Sequence, residues 1–397
     1  MIQQNLQPEN IAEQILQQLI DAADKEHASD IHIDPRGDEV AVRFRTDGLL
    51  KEISKFEMSF LEPITSRLKV MTQLDITNHS TPQEGHFEWL MMPASDKPQE
   101  QRVLDIRVSF FPTIYGESIV MRILNRAELL IPLSQIGFSA RDQKLVETLL
   151  TLPYGMVLAS GPAGAGKTTL LYAILNKLIL PEKNIITLED PVEYHFKNIR
   201  QSQIHPERGF TFDSGMRSIL RQDPDIVMIG EIRDPITLET AINASLTGRL
   251  LFSSIHANSS IGTIARILDM KIDPSLIAYA LNGVIAQRLV RRVCQSCKTP
   301  DAPDQKALLL LGLPQDVQLF KGAGCSVCSG SGYKGRLGIF EILVIDNDMR
   351  RAIVDHKQVE EINTIAKEKG LKTLREDGLE KIKAGLTTVE ELMRISI

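Results

Sequence analysis

Residues Gly161-Pro-Ala-Gly-Ala-Gly-Lys-Thr168 match the phosphate-loop pattern G-x-x-x-x-G-K-S/T at every fixed position. The glycines let the backbone turn its N–H groups toward a phosphate chain, while Lys167 reaches the β- and γ-phosphates and Thr168 ligates Mg²⁺. The apolar run Met156–Ser160 predicts a strand before the loop, and the pattern from Thr169 onward predicts a helix. A helix that begins there adds its positive dipole end to the anion site. The stretch therefore predicts an α/β fold that binds a nucleoside triphosphate. The predicted nucleotide-binding residues are Gly161, Pro162, Ala163, Gly164, Ala165, Gly166, Lys167, Thr168 and Thr169.

Length and composition are those of an ordinary globular protein with two or three domains. The chain has 397 residues, of which 43% are apolar and 24% charged, and its formal net charge is −6. This acidic balance argues against a nucleic-acid partner and against a protein held on a membrane by charge alone. No apolar run reaches the roughly 18 residues that a membrane span needs, and the N-terminus lacks the pattern of a signal peptide. We expect a cytoplasmic protein that meets a membrane only through its partners.

Alternating hydrophobic patterns predict several domains. The first part of the chain combines a helical pattern over residues 8–27 with strand patterns such as Asp30–Asp34 and Glu39–Arg45. Further along, short apolar strands alternate with helices, as in a doubly wound α/β core. The predicted order is a small α/β domain at 1–127, a linker at 128–140, the nucleotide-binding core at 141–290, a four-cysteine subdomain at 291–338 and a helical C-terminal subdomain at 339–397.

Carboxylates follow two of the predicted core strands. Glu231 follows the apolar run Ile226–Ile229 after a single glycine, and Glu189 and Glu193 follow another apolar run. In a parallel sheet, the carboxyl ends of the strands form the edge where ligands bind. Since phosphoryl transfer to water needs a group that orients the water, Glu231 is the candidate for water activation, and the other two are candidates for orienting Mg²⁺ or water. His256 follows a further strand in the same way, where either a structural or a catalytic role is open.

Four arginines are candidates for binding the negative charge that develops during hydrolysis. Arg217 and Arg221 are four residues apart, on one face of a predicted helix. Arg107 and Arg122 lie inside apolar strands of the small domain, where an unpaired charge is costly. Each of these two either pairs with a local carboxylate or faces an anionic ligand.

The four cysteines form two pairs with the spacing of a zinc site. Cys294 and Cys297 form the first pair and Cys325 and Cys328 the second, with residues 298–324 between them. Two such pairs are the usual source of four tetrahedral thiolates for Zn²⁺. A disulfide does not suit a reducing cytosol, and a redox dithiol would leave the second pair unexplained. We therefore expect a structural zinc knuckle.

Together, these motifs resemble the ATPases of type II secretion and type IV pilus assembly. The resemblance runs from about residue 28 to the C-terminus and rests on many motifs in one order. The landmarks, besides the phosphate loop and the cysteines, are Ser29–Pro35, Arg43–Gly48, Pro82–Gly85, Gly116–Leu124, Leu188–Glu193, Leu220–Asp225, Gly230–Asp234 and His256.

The resemblance implies a fold and a set of roles. The fold would be a RecA-like core with a smaller PAS-like N-terminal domain, a zinc knuckle and a helical C-terminus. Glu231 would be the Walker B glutamate, Glu189 and Glu193 would belong to an acidic box, and His256 to a histidine box. The four arginines would gather at the nucleotide between domains and subunits. ATP, Mg²⁺ and structural Zn²⁺ would be bound, and the chain would form a hexameric ring motor that acts on an inner-membrane platform protein.

Within this family the cysteine pairs favour the assembly motors, because retraction motors generally lack them. The expected function is therefore assembly of a type IV pilus or a type II secretion pseudopilus at the inner face of the cytoplasmic membrane. A retraction motor is the alternative, and a RecA-like nucleic-acid translocase is a further one that the acidic balance disfavours. Only about 28 residues precede the first motif. In this respect the chain resembles a short form of the family that lacks the extra N-terminal domain. Arg249 stands where the histidine box often has its first histidine.

Overall fold

Strands that alternate polar and apolar residues build the first sheet of the computed structural model. Ile31 and Ile33 are fully buried, while Asp30, His32 and Asp34 alternate with them and face the other side of the sheet. All neighbouring strands are antiparallel, in the order β3-β2-β1-β6-β5-β4. The strands are β1 Ala28–Arg36, β2 Glu39–Thr46, β3 Leu49–Glu57, β4 Gln83–Met91, β5 Arg102–Thr113 and β6 Gly116–Leu124.

The structure describes residues 11–91, 102–124, 130–301, 305–314 and 316–395. The chain divides into two compact units, Met1–Glu128 and Leu129–Ile397. The first unit contains the antiparallel sheet, and the second contains the phosphate loop and the cysteines. No helix in the described ranges is long and apolar enough to cross a membrane.

Two helices cover the apolar face of the first sheet. Helix Ile11–Lys25 contributes buried residues such as Leu16 and Leu19, and helix Leu61–Met71 contributes residues such as Ile64. The predicted N-terminal helix is confirmed from Ile11, and residues 8–10 of that prediction lie outside the described residues. Strands β3 and β4 are the two edges of the sheet and are largely exposed, so the hydrophobic pattern alone did not predict them.

The second sheet has seven strands in the order β15-β12-β7-β11-β10-β8-β9. All neighbours from β12 to β9 are parallel, and β15 is antiparallel to β12. The carboxyl ends of the parallel strands therefore meet at one edge. The strands are β7 Gly155–Ser160, β8 Ile185–Glu189, β9 Arg200–Gln203, β10 Ile226–Ile229, β11 Leu250–Ile255, β12 Leu281–Val293 and β15 Tyr333–Val344.

Both faces of this sheet are covered, as the fully apolar strands predict. Met156 and Leu158 of β7 belong to one hydrophobic core, while Val157 and Ala159 belong to a second core across the sheet. The helices of this unit are Ala140–Leu150, Lys167–Leu178, Phe212–Ile219, Pro235–Leu246, Ser260–Leu268, Pro274–Ala280, Gln305–Leu311, Asn347–Val354, Val359–Glu368, Leu374–Lys383 and Val389–Arg394.

The long strands β12 and β15 pair with each other and extend the sheet beyond the phosphate-loop strand. The hydrophobic pattern predicts neither of them, and the expected domain bounds at 290/291 and 338/339 fall inside these strands. Leu133 and Ile136, which lie in the predicted linker, are buried in the core of the second unit. A short hairpin, β13 Lys298–Asp301 and β14 Leu319–Gly322, lies between the two cysteine pairs.

Candidate functional site

The phosphate loop connects β7 with helix Lys167–Leu178, in the strand–loop–helix order that the sequence predicts. Gly164 and Gly166 have φ angles of 73° and 85°, in the left-handed region that favours glycine. Space also requires a glycine at position 166, because a Cβ there would lie 2.9 Å from Nε2 of Gln287. The backbone N–H groups at the start of the helix are therefore left open toward the loop, as an anion site requires.

Lys167 lies across the loop. Its Nζ donates hydrogen bonds to the carbonyl oxygens of Gly161, at 2.8 Å, and Pro162, at 3.0 Å. Burial lowers the pKa of Lys167 to about 8; the neighbouring Arg288 lowers it further, and Glu231 opposes this shift. A half-buried ammonium held only by carbonyl groups gains a stronger partner when a phosphate enters the loop.

Glu231 follows β10 and lies between two potential cations. Its Oε1 accepts a hydrogen bond from Nη2 of Arg233, and its Oε2 lies 3.6 Å from Nε2 of His256. Its backbone is fixed on both sides by Ser254: the hydroxyl of Ser254 donates to the carbonyl of Gly230 at 2.7 Å, and the N–H of Ile232 donates to the carbonyl of Ser254 at 2.9 Å. The structure thus brings together a carboxylate and a histidine from neighbouring strand ends, with the lysine of the phosphate loop close enough to lower the pKa of His256.

His256 is exposed for about half of its side chain (53%). Burial of the rest lowers its pKa, Lys167 adds to the effect, and Glu231 opposes it. The lowered pKa favours the neutral imidazole, which can either donate a hydrogen bond to a neighbour or accept one from it.

Glu189 is enclosed by hydrogen-bond donors of the protein. Its side chain is only 3% exposed, and it accepts hydrogen bonds from the hydroxyls of Tyr172 and Thr187 and, at 3.0 Å, from Nε2 of Gln201. The backbone N–H of Glu193 donates to the Tyr172 hydroxyl at 3.1 Å. Tyr172 belongs to the helix that follows the phosphate loop. This network therefore connects residues 189–193, the acidic loop, to that helix.

The predicted arginines lie in two different units. Arg217 pairs with Asp213 of its own helix at 3.1 Å, and Arg221 donates to the carbonyl oxygen of Arg217 at 2.9 Å. In the first unit, Arg122 pairs with Asp30 of the adjacent strand at 3.0 Å. Arg107 lies directly opposite Arg122 on β5. The local pairing that the sequence left open is thus present at Arg122.

Two residues beside the loop, Gln287 and Arg288, were not predicted from the sequence. Gln287 and Arg288 lie on β12, whose residue Ala286 is paired with Ser160 at the end of the phosphate-loop strand. Arg288 donates to the carbonyl oxygen of Asn258 at 3.2 Å and to its Oδ1 at 3.1 Å. The signal in the sequence was that two polar residues, Gln287 and Arg288, follow an apolar run that ends at Ala286.

The four cysteines converge as the sequence predicts. Their Sγ atoms all lie within 4.8 Å of one another, with separations of 3.9 Å for Cys294–Cys325, 3.8 Å for Cys297–Cys328 and 3.7 Å for Cys325–Cys328. Tetrahedral zinc with bonds of about 2.3 Å places its sulfur ligands about 3.8 Å apart. Burial would raise the pKa of Cys328, but backbone N–H groups of Cys325 and Gly332 outweigh it and hold it at about 6. The donor set fits zinc.

Comparisons with known proteins agree with this architecture. Residues 5–394 match the family described as "Type II/IV secretion system protein". The chain is 42% identical over 394 residues to the type IV pilus assembly ATPase PilB of Thermus thermophilus, a match that covers 98% of this chain and 43% of that protein. It is 41% identical over 384 residues to type II secretion system protein E of Dickeya dadantii, covering 96% of this chain and 75% of that protein. The chain thus spans less than half the length of the Thermus protein.

Among solved structures, the ATPase DotB of Legionella pneumophila superposes with a TM-score of 0.71 at 18% identity, covering 98% of this chain and 97% of that one. This similarity concerns the fold, which is a RecA-like core preceded by a smaller α/β unit. Because the family match spans nearly the whole chain and two of its named relatives share more than a third of their aligned residues with it, the chain belongs to the type II/IV secretion system protein family.

Proposed function

We propose that this protein hydrolyses ATP to drive assembly of a type IV pilus or a type II secretion pseudopilus, through an inner-membrane platform protein. The observation that carries the proposal is the edge of the second sheet, where Glu231 and His256 meet next to the phosphate loop and Lys167. Phosphoryl transfer to water needs a group that orients the water and cations that bind the developing charge, and Glu231 and Lys167 supply one of each. The names of the two curated relatives supply the filament systems.

In this proposal residues 161–169 hold the phosphates, with Lys167 on the β- and γ-phosphates. Thr168 would hold Mg²⁺, which would supply positive charge that neutralises the phosphate oxygens. Glu231 accepts a hydrogen bond from the attacking water and orients it toward the γ-phosphorus. The P–O bond to ADP breaks as the new P–O bond forms, and the proton of the water leaves with phosphate or through Glu231.

Glu189 and Glu193 have different roles in the proposal. Because the Glu189 carboxylate already accepts from Tyr172, Thr187 and Gln201, we assign it to positioning the acidic loop. Glu193 is the carboxylate of this loop that we assign to the metal or its water.

The proposal extends to the assembly. Arg107, Arg122, Arg217 and Arg221 are proposed to collect at the nucleotide when six copies form a ring, and each is at least partly accessible. The zinc held by Cys294, Cys297, Cys325 and Cys328 is structural in this proposal, because four thiolates leave no position for a substrate. The ring would act in the cytoplasm, at the inner face of the cytoplasmic membrane.

The direct test is phosphate release by the purified full chain with MgATP. Glu231→Gln should bind ATP and lose about 100-fold or more of the turnover, because the group that orients water is removed. Glu239→Gln is the matched control, since Glu239 is an exposed glutamate on the next helix. Absence of ATP turnover by the wild-type chain, or equal turnover by Glu231→Gln, would contradict the proposal.

A further inference from the structure

Strand β12 lies directly against the phosphate loop. A Cβ at Gly161 would be 2.6 Å from the carbonyl oxygen of Gln287 and 3.7 Å from Nη1 of Arg288, and a Cβ at Gly166 would be 2.9 Å from Nε2 of Gln287. No side chain fits between these elements. Residues 287 and 288 therefore belong to the immediate surroundings of the loop.

The side chain of Gln287 has an unused hydrogen-bonding group. It is only 3% exposed, and within the described ranges its Oε1 has no hydrogen-bond partner. A buried amide oxygen without a partner is costly and uncommon. Among the described residues, the surroundings of the loop thus contain a buried hydrogen-bond acceptor, Oε1 of Gln287, that is left unpaired.

Arg288 is a half-buried cation held only by neutral acceptors. Its Nη2 donates to the carbonyl oxygen and to Oδ1 of Asn258, at 3.2 and 3.1 Å. Within the described part of the chain, no carboxylate lies within ion-pair distance of it. Burial lowers its pKa, and the more distant Glu341 opposes that only in part. Arg288 also lowers the pKa of Lys167, so two mutually repelling cations are held beside the loop.

Arg291 on the same strand shows how a purely structural arginine is held. It forms an ion pair with the buried Glu391 at 2.8 Å, and its guanidinium lies 4.0 Å from the ring centroid of Tyr333. Arg288 has neither a carboxylate nor an aromatic partner among the described residues. Contacts within the described residues of the second unit therefore do not explain why a charged side chain stands at position 288.

We propose that Arg288 is a further nucleotide-binding residue, which exchanges its hydrogen bonds to Asn258 for the terminal phosphate of a bound nucleoside triphosphate. This inference rests on the proposed ATPase function. It adds a cation from the same chain to the four arginines considered above.

The terminal phosphate is the expected partner because of where Asn258 lies. Asn258 is two residues after His256, which faces Glu231, the residue proposed to act on water at the γ-phosphate. Arg288 thus lies on the side of the loop where the γ-phosphate is proposed to react. Release of Asn258 on triphosphate binding would also free the segment that carries His256.

The test measures binding of AMP-PNP and ADP, each with Mg²⁺, to the full chain by titration calorimetry. Arg288→Ala should weaken AMP-PNP binding roughly 10- to 100-fold, as expected for loss of a charged hydrogen bond, and ADP binding less than threefold. Arg288→Lys should retain part of the AMP-PNP affinity. Arg292→Ala is the matched control, because Arg292 is an exposed arginine on the same strand, and both affinities should be unchanged.

Arg288→Gln covers the case in which the alanine variant does not fold, since it keeps hydrogen bonding to Asn258 but removes the charge. The inference predicts that it too loses AMP-PNP affinity selectively. Equal loss for both nucleotides, or no loss for either, would overturn the inference while leaving the ATPase proposal intact. Two results together would overturn both the inference and the ATPase proposal. The wild-type chain would bind ADP but bind AMP-PNP no more tightly than the variants do, and it would not hydrolyse ATP.

Discussion

Glu231 and His256 come from the ends of two neighbouring parallel strands and face each other with Oε2 and Nε2 3.6 Å apart. Because β10 and β11 pair in register, their carboxyl ends bring these side chains together at the phosphate loop. Arg233 binds the other carboxylate oxygen of Glu231, which leaves the carboxylate oriented from both sides.

His256→Ala should lower the turnover number about tenfold and leave the affinity for ADP unchanged. The reason is that the imidazole lies beside the Glu231 carboxylate, which is proposed to orient water, and has no role in the proposed binding of the phosphates. Steady-state phosphate release and ADP titration measure the two quantities. His205→Ala is a matched control, since His205 is similarly exposed and also lies beside a glutamate, at 3.3 Å from Glu207. It follows the edge strand β9, which three strands separate from the phosphate-loop strand β7. Equal turnover in the His256 variant and wild type would rule out the orienting role.

Nucleotide affinity should depend on pH through Lys167. Its pKa of about 8 without nucleotide means that the ammonium is lost as the pH rises through that value, and with it the attraction for phosphate. Affinity for ADP should therefore fall as the pH rises above about 8, by up to tenfold per pH unit. Binding at that pH should also take up a proton, which calorimetry in buffers of different ionisation enthalpy detects. A pH-independent affinity without proton uptake would refute this assignment.

Tyr172→Phe should destabilise the second unit by about 1–3 kcal/mol, because it removes a donor from the buried Glu189 carboxylate. Burial, together with Glu189, raises the pKa of Tyr172, so its hydroxyl is a permanent donor. Urea unfolding measures the change in the free energy of unfolding. Tyr154→Phe, at an exposed tyrosine, should leave that free energy unchanged. If the two variants unfold alike, the Tyr172–Glu189 bond does not hold the acidic loop.

Cys325→Ser should reduce bound zinc and lower the melting temperature by several degrees, because the free energy of metal binding is part of the folding free energy. Metal analysis and calorimetric melting give both values. Ser326→Ala, at the exposed neighbouring residue, serves as the control. Stoichiometric zinc and an unchanged melting temperature in the cysteine variant would refute a tetrahedral thiolate site.

Local patterns were sufficient for the elements that carry the phosphate loop. The apolar β7, the glycines and the helix from Lys167 are encoded within one short stretch, and Glu231 follows from the rule for parallel strand ends. The pairing of β12 with β7 joins residues more than a hundred positions apart, so no local pattern could place Arg288 beside Gly161. Tyr172 and Gln201 lie only 17 and 12 positions from Glu189, but on a helix and on a neighbouring strand, so the sequence could not show that they enclose it.

Whether the protein is an ATP-driven assembly motor can be measured in the native cell carrying Glu231→Gln in place of the wild-type protein. The measurement is a count of surface filaments together with the amount of secreted protein, at equal levels of the two chains. We expect loss of filaments or of secretion. An excess of filaments would contradict this expectation and identify a retraction motor instead.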